Sequence, residues 1–155
     1  SFTVPVELIV QGATAKPEDG ELFEQFARDY RNYKNITFLH KNLIGIEWQK
    51  ALLSVDAIMM PYAAERYRYH WGAMLFTAIG FYKPVLVSPE LNPEVLQQFK
   101  IGQAIDLSSV EAFSHQLERF IDDLVHHTEE YQQGLDQANV VYGQDKLIKG
   151  ILKSI

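Results

Sequence analysis

Five short apolar runs alternate with stretches of helical spacing over the first two thirds of the chain, and this alternation constrains the fold more than any other feature. Residues 6–10 (VELIV), 36–39 (ITFL), 57–60 (AIMM), 84–87 (PVLV) and 103–106 (QAID) read as strands, the first ended by Gln11 and Gly12, the third stopped by Pro61 and Tyr62. Between them the spacing predicts helices. Pro17, Glu18 and Asp19 open one whose apolar face carries Leu22, Phe23, Phe26, Ala27 and Tyr30. A second, over 46–55, packs through Ile46, Ala51, Leu52 and Val55; a third covers 71–81 and a short fourth 93–99, with 63–70 irregular. After Ser108 and Ser109 only helices follow, over 111–125 with Phe113, Leu117, Phe120, Ile121 and Leu124 on one stripe, then 129–142 and 146–155, parted near Gly143. Apolar strands without polar alternation, each followed by a helix, indicate a parallel sheet covered on both faces.

The expected fold class is therefore α/β: a Rossmann-like open parallel sheet of about five strands with helices on both faces and a helical C-terminal tail. A length of 155 residues suits a single domain, and no repeat, low-complexity tract or linker divides it. With 47% hydrophobic residues, 22% charged and no cysteine, the chain reads as a soluble globular domain without a disulfide framework, thiolate zinc site or thiol nucleophile. No apolar run approaches the roughly 20 residues of a membrane span, and the amino terminus lacks a signal-peptide profile. The expected compartment is the cytoplasm, with peripheral association at the inner face of the membrane left open. A net charge of −6 argues against nucleic acid as a partner, which requires a clustered basic face. That charge is uneven: residues 1–60 carry 6 basic and 8 acidic groups, 61–99 carry 3 and 3, and 100–155 carry 5 and 9. Between positions 61 and 88, Arg66, Arg68 and Lys83 oppose only Glu65, so an anionic ligand is drawn there first.

In such sheets ligands bind at the carboxyl ends of the strands, where the following helices present free N–H groups. This rule selects residues 11–14, 40–43, 61–72 and 88–90, and with them Gly12, His40, Lys41, Asn42 and Leu43. The third segment is the longest irregular stretch and holds Tyr62, Arg66, Tyr67, Arg68, Tyr69, His70 and Trp71. Its aromatic side chains either stack on a sugar or base or meet another domain. Gly72, at the start of the third helix, either lets a diphosphate approach the N–H groups of Gly72 and Ala73 or eases close helix–sheet packing. His40 and His70 are site histidines or structural hydrogen-bonders. His126 and His127 are helix neighbours whose rings diverge, and no histidine pair has i,i+4 spacing, so no metal is expected. The G-x-G-x-x-G, P-loop and G-x-S-x-G signatures are missing, and no acidic cluster follows the first strand to suggest a flavodoxin-like or receiver domain.

Residues 35–40 (NITFLH), 51–62 (ALLSVDAIMMPY) and 71–86 (WGAMLFTAIGFYKPVL) resemble, in order and spacing, the carboxy-terminal donor-binding domain of GT-B-fold glycosyltransferases of the group 1, family 4-like type. Those families carry an N-V-T-F-L-G strand, an A-D-hydrophobic-P-S/Y strand end and an S-G-x-L-x-x-A-x-x-x-G-K-P-V helix and strand. The resemblance spans nearly the whole chain. It implies a nucleotide-sugar site: the His40 loop beside the base, Gly72 and Ala73 on the diphosphate, and the loop from Tyr62 to His70 toward the sugar. Arg66, Arg68 or Lys83 would stabilise charge on the leaving diphosphate, with no covalent residue or cofactor required. Glu65 stands where a loop glutamate is usual, or is a solvated charge paired with Arg66 or Arg68. Thr77 replaces a ribose-binding glutamate; its hydroxyl makes one such bond, or bonds back to the carbonyl a turn earlier. Tyr82 replaces the glycine usual before Lys-Pro-Val, which is expected to matter to packing only. By the same resemblance the chain begins at the second strand of the domain, and the acceptor-binding domain lies outside it. The implied partners are a nucleotide-diphosphate sugar and the protein's own N-terminal acceptor domain, through which any membrane association would run. Such a fragment binds donor weakly and catalyses nothing alone. The alternative is a non-catalytic glycosyltransferase-like module that binds partners or acts as a scaffold.

Overall fold

The computed structural model describes residues 2–62 and 72–143. Its elements run β1 (Leu8–Gly12), α1 (Pro17–Asp29), β2 (Ile36–His40), α2 (Gly45–Leu53), β3 (Ile58–Met60), α3 (Ala73–Gly80), β4 (Val85–Val87), α4 (Pro93–Gln98), β5 (Gly102–Ala104), α5 (Val110–His126) and α6 (Thr128–Tyr142). The α/β order expected from the sequence is present, and the strand pairings are parallel. The strands form two sheets, β1-β2 and β3-β4-β5, within two compact units, Phe2–Ala51 and the part from Leu52 onward. The irregular stretch 63–70, the start of the third helix at Trp71 and the helix expected over 146–155 lie outside the described residues. No helix among the described residues is long and apolar enough to cross a membrane.

In the first unit the ladder begins two residues later than the apolar run 6–10. Asn35 sets this: the Leu8 N–H donates to the Asn35 carbonyl at 2.8 Å, while the Asn35 carboxamide donates to the Val6 carbonyl at 3.3 Å. Pairing therefore opens at Leu8 against Ile36. Gln11 and Gly12, expected to end the strand, are its last paired residues, because β2 extends far enough to supply Leu39 and His40 as partners. Strand alternation puts Val10 and Gly12 on one face with Phe38 and His40. From α1, Phe23 covers that face, meeting the Phe38 ring edge-on at 6.0 Å and stacking on His40 at 4.6 Å. Pro17 at the first helical position, with Glu18 and Asp19 in the first turn, opens α1 as expected. No side chain of α1 is buried, so the unit has a thin core.

The second unit holds a sheet covered on both faces. Central β4 pairs with β3 and β5, and all three of its residues are buried. Val85 and Val87 enter a core with Leu75, Ala78 and Ile79 of α3, Val95 of α4, and Leu135 and Ala138 of α6. On the opposite face Leu86 meets Ile105, Phe120 of α5 and Tyr131 of α6. The period of two makes this split, which is why β4 shows no polar alternation. β5 ends before the run 103–106 does, although the Ile105 N–H still donates to the Val87 carbonyl at 2.6 Å; Gln116 of α5 donates to the Ala104 carbonyl and accepts from the Asp106 N–H. Backbone alternation turns these two groups away from β4, so the Gln116 carboxamide satisfies the outer edge of β5. The Ser109 hydroxyl caps α5 by accepting from the Ala112 N–H at 3.0 Å.

The end of α3 corrects the purely packing role expected for Tyr82. The Tyr82 N–H donates to the Ile79 carbonyl at 3.0 Å and the Lys83 N–H to the Ala78 carbonyl at 2.9 Å, with Tyr82 at φ 55°. This is a Schellman ending, whose left-handed position favours glycine. Left-handed backbone costs another residue about 1–2 kcal/mol, against about 0.5–1 kcal/mol of chain entropy lost by glycine. Tyr82→Gly is expected to stabilise the unit by about 0.5–1 kcal/mol, read as a higher urea midpoint at unchanged slope.

Charge ties α6 to the turn between α4 and β5. Lys100 Nζ lies 2.6 Å from Glu130 Oε2 and 3.8 Å from Asp123 Oδ2. The hydrogen bond from Lys100, joined by His127 at 3.0 Å, holds the Glu130 carboxyl below its usual range, and the same bond raises Lys100. The contribution of Glu130 is thus complete above about pH 4.5 and lost as the pH falls further, whereas that of Lys100 is complete below about pH 10.5 and lost above it. Lys100→Met is expected to flatten the fall in stability below about pH 4.5, measured as urea midpoints against pH.

Candidate functional site

The residues singled out in the sequence fall into three groups. The first sits at the carboxyl ends of β1 and β2. Gly12 and His40 are cross-strand partners there, not loop residues. A Cβ at Gly12 would meet only the Phe23 ring at 3.6 Å, an ordinary contact, so sterics do not require glycine. His40 uses both ring nitrogens: Nδ1 lies 2.7 Å from Glu24 Oε1 and Nε2 lies 2.9 Å from Thr14 Oγ1. Lys41 Nζ pairs with Glu47 at 2.8 Å, both side chains more than half exposed, while the Lys41 carbonyl accepts from Gln11 Nε2 at 2.6 Å. Such a surface pair is weak and leaves the ammonium available to a stronger anion. Asn42 is exposed and Leu43 half-buried.

The second group opens α3. Tyr62 is half-buried against the core of the second unit, and its N–H donates to the Met60 carbonyl at 2.9 Å. Gly72 is buried, with φ −73°, a value open to any residue; what excludes a side chain is packing. A Cβ there would stand 2.5 Å from Leu91 Cδ1 and 3.0 Å from Leu91 Cγ. The Gly72 N–H donates to Asn92 Oδ1 at 2.9 Å, and Asn92 is itself held at φ 45°. Of the two readings of Gly72, the packing one therefore has a named cause, and the N–H that a diphosphate would use has a partner within the chain. Ala73 is exposed at the first helical position. Thr77 donates its hydroxyl to the Ala73 carbonyl at 3.0 Å, the bond a turn back; its lone pairs still accept but its proton is engaged. Ser88, at the end of β4, is buried, and its N–H and hydroxyl both donate to the Met60 carbonyl.

The third group, Glu65, Arg66, Arg68, His70 and Trp71, lies outside the described residues. So does the charge balance that these residues give the segment.

Three residues that the sequence reading passed over shape these sites: Glu24, Leu91 and Asn92. Glu24 meets His40 across 16 positions and carries no local signal. Asn92 carried one, because asparagine is the residue other than glycine that most readily takes left-handed backbone, and it stands directly before the Pro93 that starts α4. Among the described residues the second unit has hollows of its own. One of about 380 Å³ lies at the ends of β4 and β5 between Ser88, Leu91, Leu96 and Gln103, and an open one of about 740 Å³ lies beside Arg119, Asp122, His126 and His127. His126 and His127 turn to different partners, the Asp122 carbonyl and the Glu130 carboxylate. Comparison with protein-family models and with curated proteins returns no match for the chain.

Proposed function

We propose that the chain is the donor-binding domain of a GT-B-type glycosyltransferase. It would take a nucleotide-diphosphate sugar and, with an N-terminal acceptor domain, pass the sugar to a glycan or lipid-linked acceptor in cell-envelope polysaccharide or glycoconjugate synthesis. What most supports this reading is the succession of β3, Pro61 and Tyr62, then Gly72 opening α3, then Lys83 and Pro84 leading into β4. The reading takes β1-β2 and β3-β4-β5 as parts of one Rossmann-like open sheet of about five strands in a single domain. Gly72 and Ala73 then address the diphosphate and the loop beginning at His40 the base. Arg66, Arg68 or Lys83 offset charge on the leaving group, and the loop from Tyr62 to His70, with Glu65, lies toward the sugar. The domain supplies no metal or other cofactor and works on the cytoplasmic side, at the inner face of the membrane where the acceptor is lipid-linked.

Two hydrogen bonds favour a second reading, a non-catalytic partner-binding module: Gly72 to Asn92 and Thr77 to Ala73 occupy groups that donor recognition would use. Titration with UDP, GDP and ADP followed by amide NMR separates the two. Shifts confined to residues 40–44 and 61–77 are the expected result; a flat response at millimolar nucleotide leaves the partner-binding module.

A further inference from the structure

Thr14, His40 and Glu24 lie together in the first unit. Thr14 Oγ1 is 2.9 Å from His40 Nε2, and His40 Nδ1 is 2.7 Å from Glu24 Oε1. A carboxylate only accepts hydrogen bonds, so Nδ1 carries a proton, and in the neutral ring Nε2 then keeps its lone pair. The Thr14 hydroxyl is left to donate to Nε2. Phe23 stacks on the imidazole at 4.6 Å and 23°, fixing the plane of the ring. Gly20, in the facing turn of α1, leaves room for the pair: a Cβ there would stand 3.2 Å from Thr14 Oγ1. Thr14 is exposed and the His40 side chain is 28% exposed, so a small reagent reaches the hydroxyl. The position is also one where α/β folds bind ligands, because Gly12 and His40 end their parallel strands here. A hydroxyl, a base within hydrogen-bond reach and a third group orienting that base are the features of an activated nucleophile.

We propose that Thr14 and His40 form an acyl-acceptor site for activated esters, with Glu24 as the positioning residue. The site lies within the first unit and does not rest on the donor reading. Thr14 Oγ1 attacks the ester carbonyl carbon; the Oγ1–carbon bond forms and the bond to the leaving oxygen breaks. The hydroxyl proton passes to Nε2 and then to the leaving alkoxide or phenoxide. The acyl group stays on Thr14 until a water, losing a proton to the same nitrogen, bonds to its carbonyl carbon; the Oγ1–carbon bond then breaks, the proton returns from Nε2 to Oγ1, and the acid leaves.

The test uses p-nitrophenyl acetate on the whole chain, with release of p-nitrophenolate and peptide mass spectrometry as readouts. The acetyl group is expected on Thr14. Thr14→Ser, which lacks the crowding methyl, should label faster, and Thr14→Val should lose the label. His40→Gln should slow labelling about a hundredfold, the usual scale of general-base help. Glu24→Gln should slow it too and shift the His40 ring ¹⁵N resonances away from the Nδ1–H tautomer, which a purely structural contact would not do. Acetylation confined to lysines or to His40, or a Thr14 label that forms equally fast in His40→Gln, overturns the proposal.

Discussion

Gly134→Ala is expected to destabilise the second unit by about 2–3 kcal/mol, a large effect for a single methyl group. Gly134 is buried in the middle of α6, where glycine costs a helix about 1 kcal/mol relative to alanine, so propensity alone would favour the change. Packing forbids it. A Cβ at this position would stand 2.2 Å from the Lys100 carbonyl oxygen, 2.7 Å from its carbonyl carbon and 3.1 Å from its nitrogen. All three atoms are backbone, so no rotamer change relieves the clash. Either α6 or the turn before β5 must move, and α6 carries Leu135 and Ala138 in the core with it. The Lys100 to Glu130 ion pair, which spans the same contact, would be stretched as well. Thermal unfolding should show a fall of roughly 10 °C, since 1 kcal/mol corresponds to about 4–8 °C in a unit of this size. Gln133→Ala on the exposed neighbouring position should stay within about 0.5 kcal/mol of the parent. Equal midpoints for the two variants would show that the approach of α6 to Lys100 is looser than described.

Gly134 also illustrates where sequence reading stops. The types and order of the elements from β1 to α6 follow from apolar period, because each segment carries its own pattern whatever it packs against. Their ends do not, because they are set by partners distant in the chain. Asn35 binds the Val6 carbonyl just ahead of β1 from 29 positions away, and Gln116 on α5 covers the outer edge at the end of β5. Neither residue stands out among its neighbours as a sequence. The same holds at the candidate site. Gly72 is recognisable from its place at a helix start, but its contacts with Leu91 and Asn92 are not, because the strand-end rule stops just short of both. His40 was recognisable as a polar residue at a strand end, whereas its engagement by Thr14 and Glu24 depends on how α1 lies on the sheet. At Tyr82 the departure from a glycine is visible in the sequence and reads as a matter of packing, whereas the left-handed backbone behind it is visible only in the way α3 ends.

Leu91→Ala is expected to cost about 3–4 kcal/mol and, in doing so, to change what position 72 tolerates. Leu91 is fully buried, so truncation removes apolar contacts and opens a cavity beside α3 and α4. The atoms removed include the two that a Cβ at Gly72 would strike, Cδ1 at 2.5 Å and Cγ at 3.0 Å. In the parent, Gly72→Ala should therefore cost about 1–3 kcal/mol through overpacking. In the Leu91→Ala background the new methyl enters vacated space, and the same substitution should cost close to nothing, a coupling of about 1–3 kcal/mol by double-mutant cycle. The φ of −73° adds no backbone penalty in either background, so the coupling isolates the side-chain clash. If Gly72→Ala costs the same with and without Leu91, packing is not what holds glycine there. Nucleotide titration of the double variant then reads the other role of the position. A methyl that restores packing yet abolishes binding of UDP, GDP or ADP assigns the glycine to the ligand, and one that restores packing with binding unchanged assigns it to Leu91.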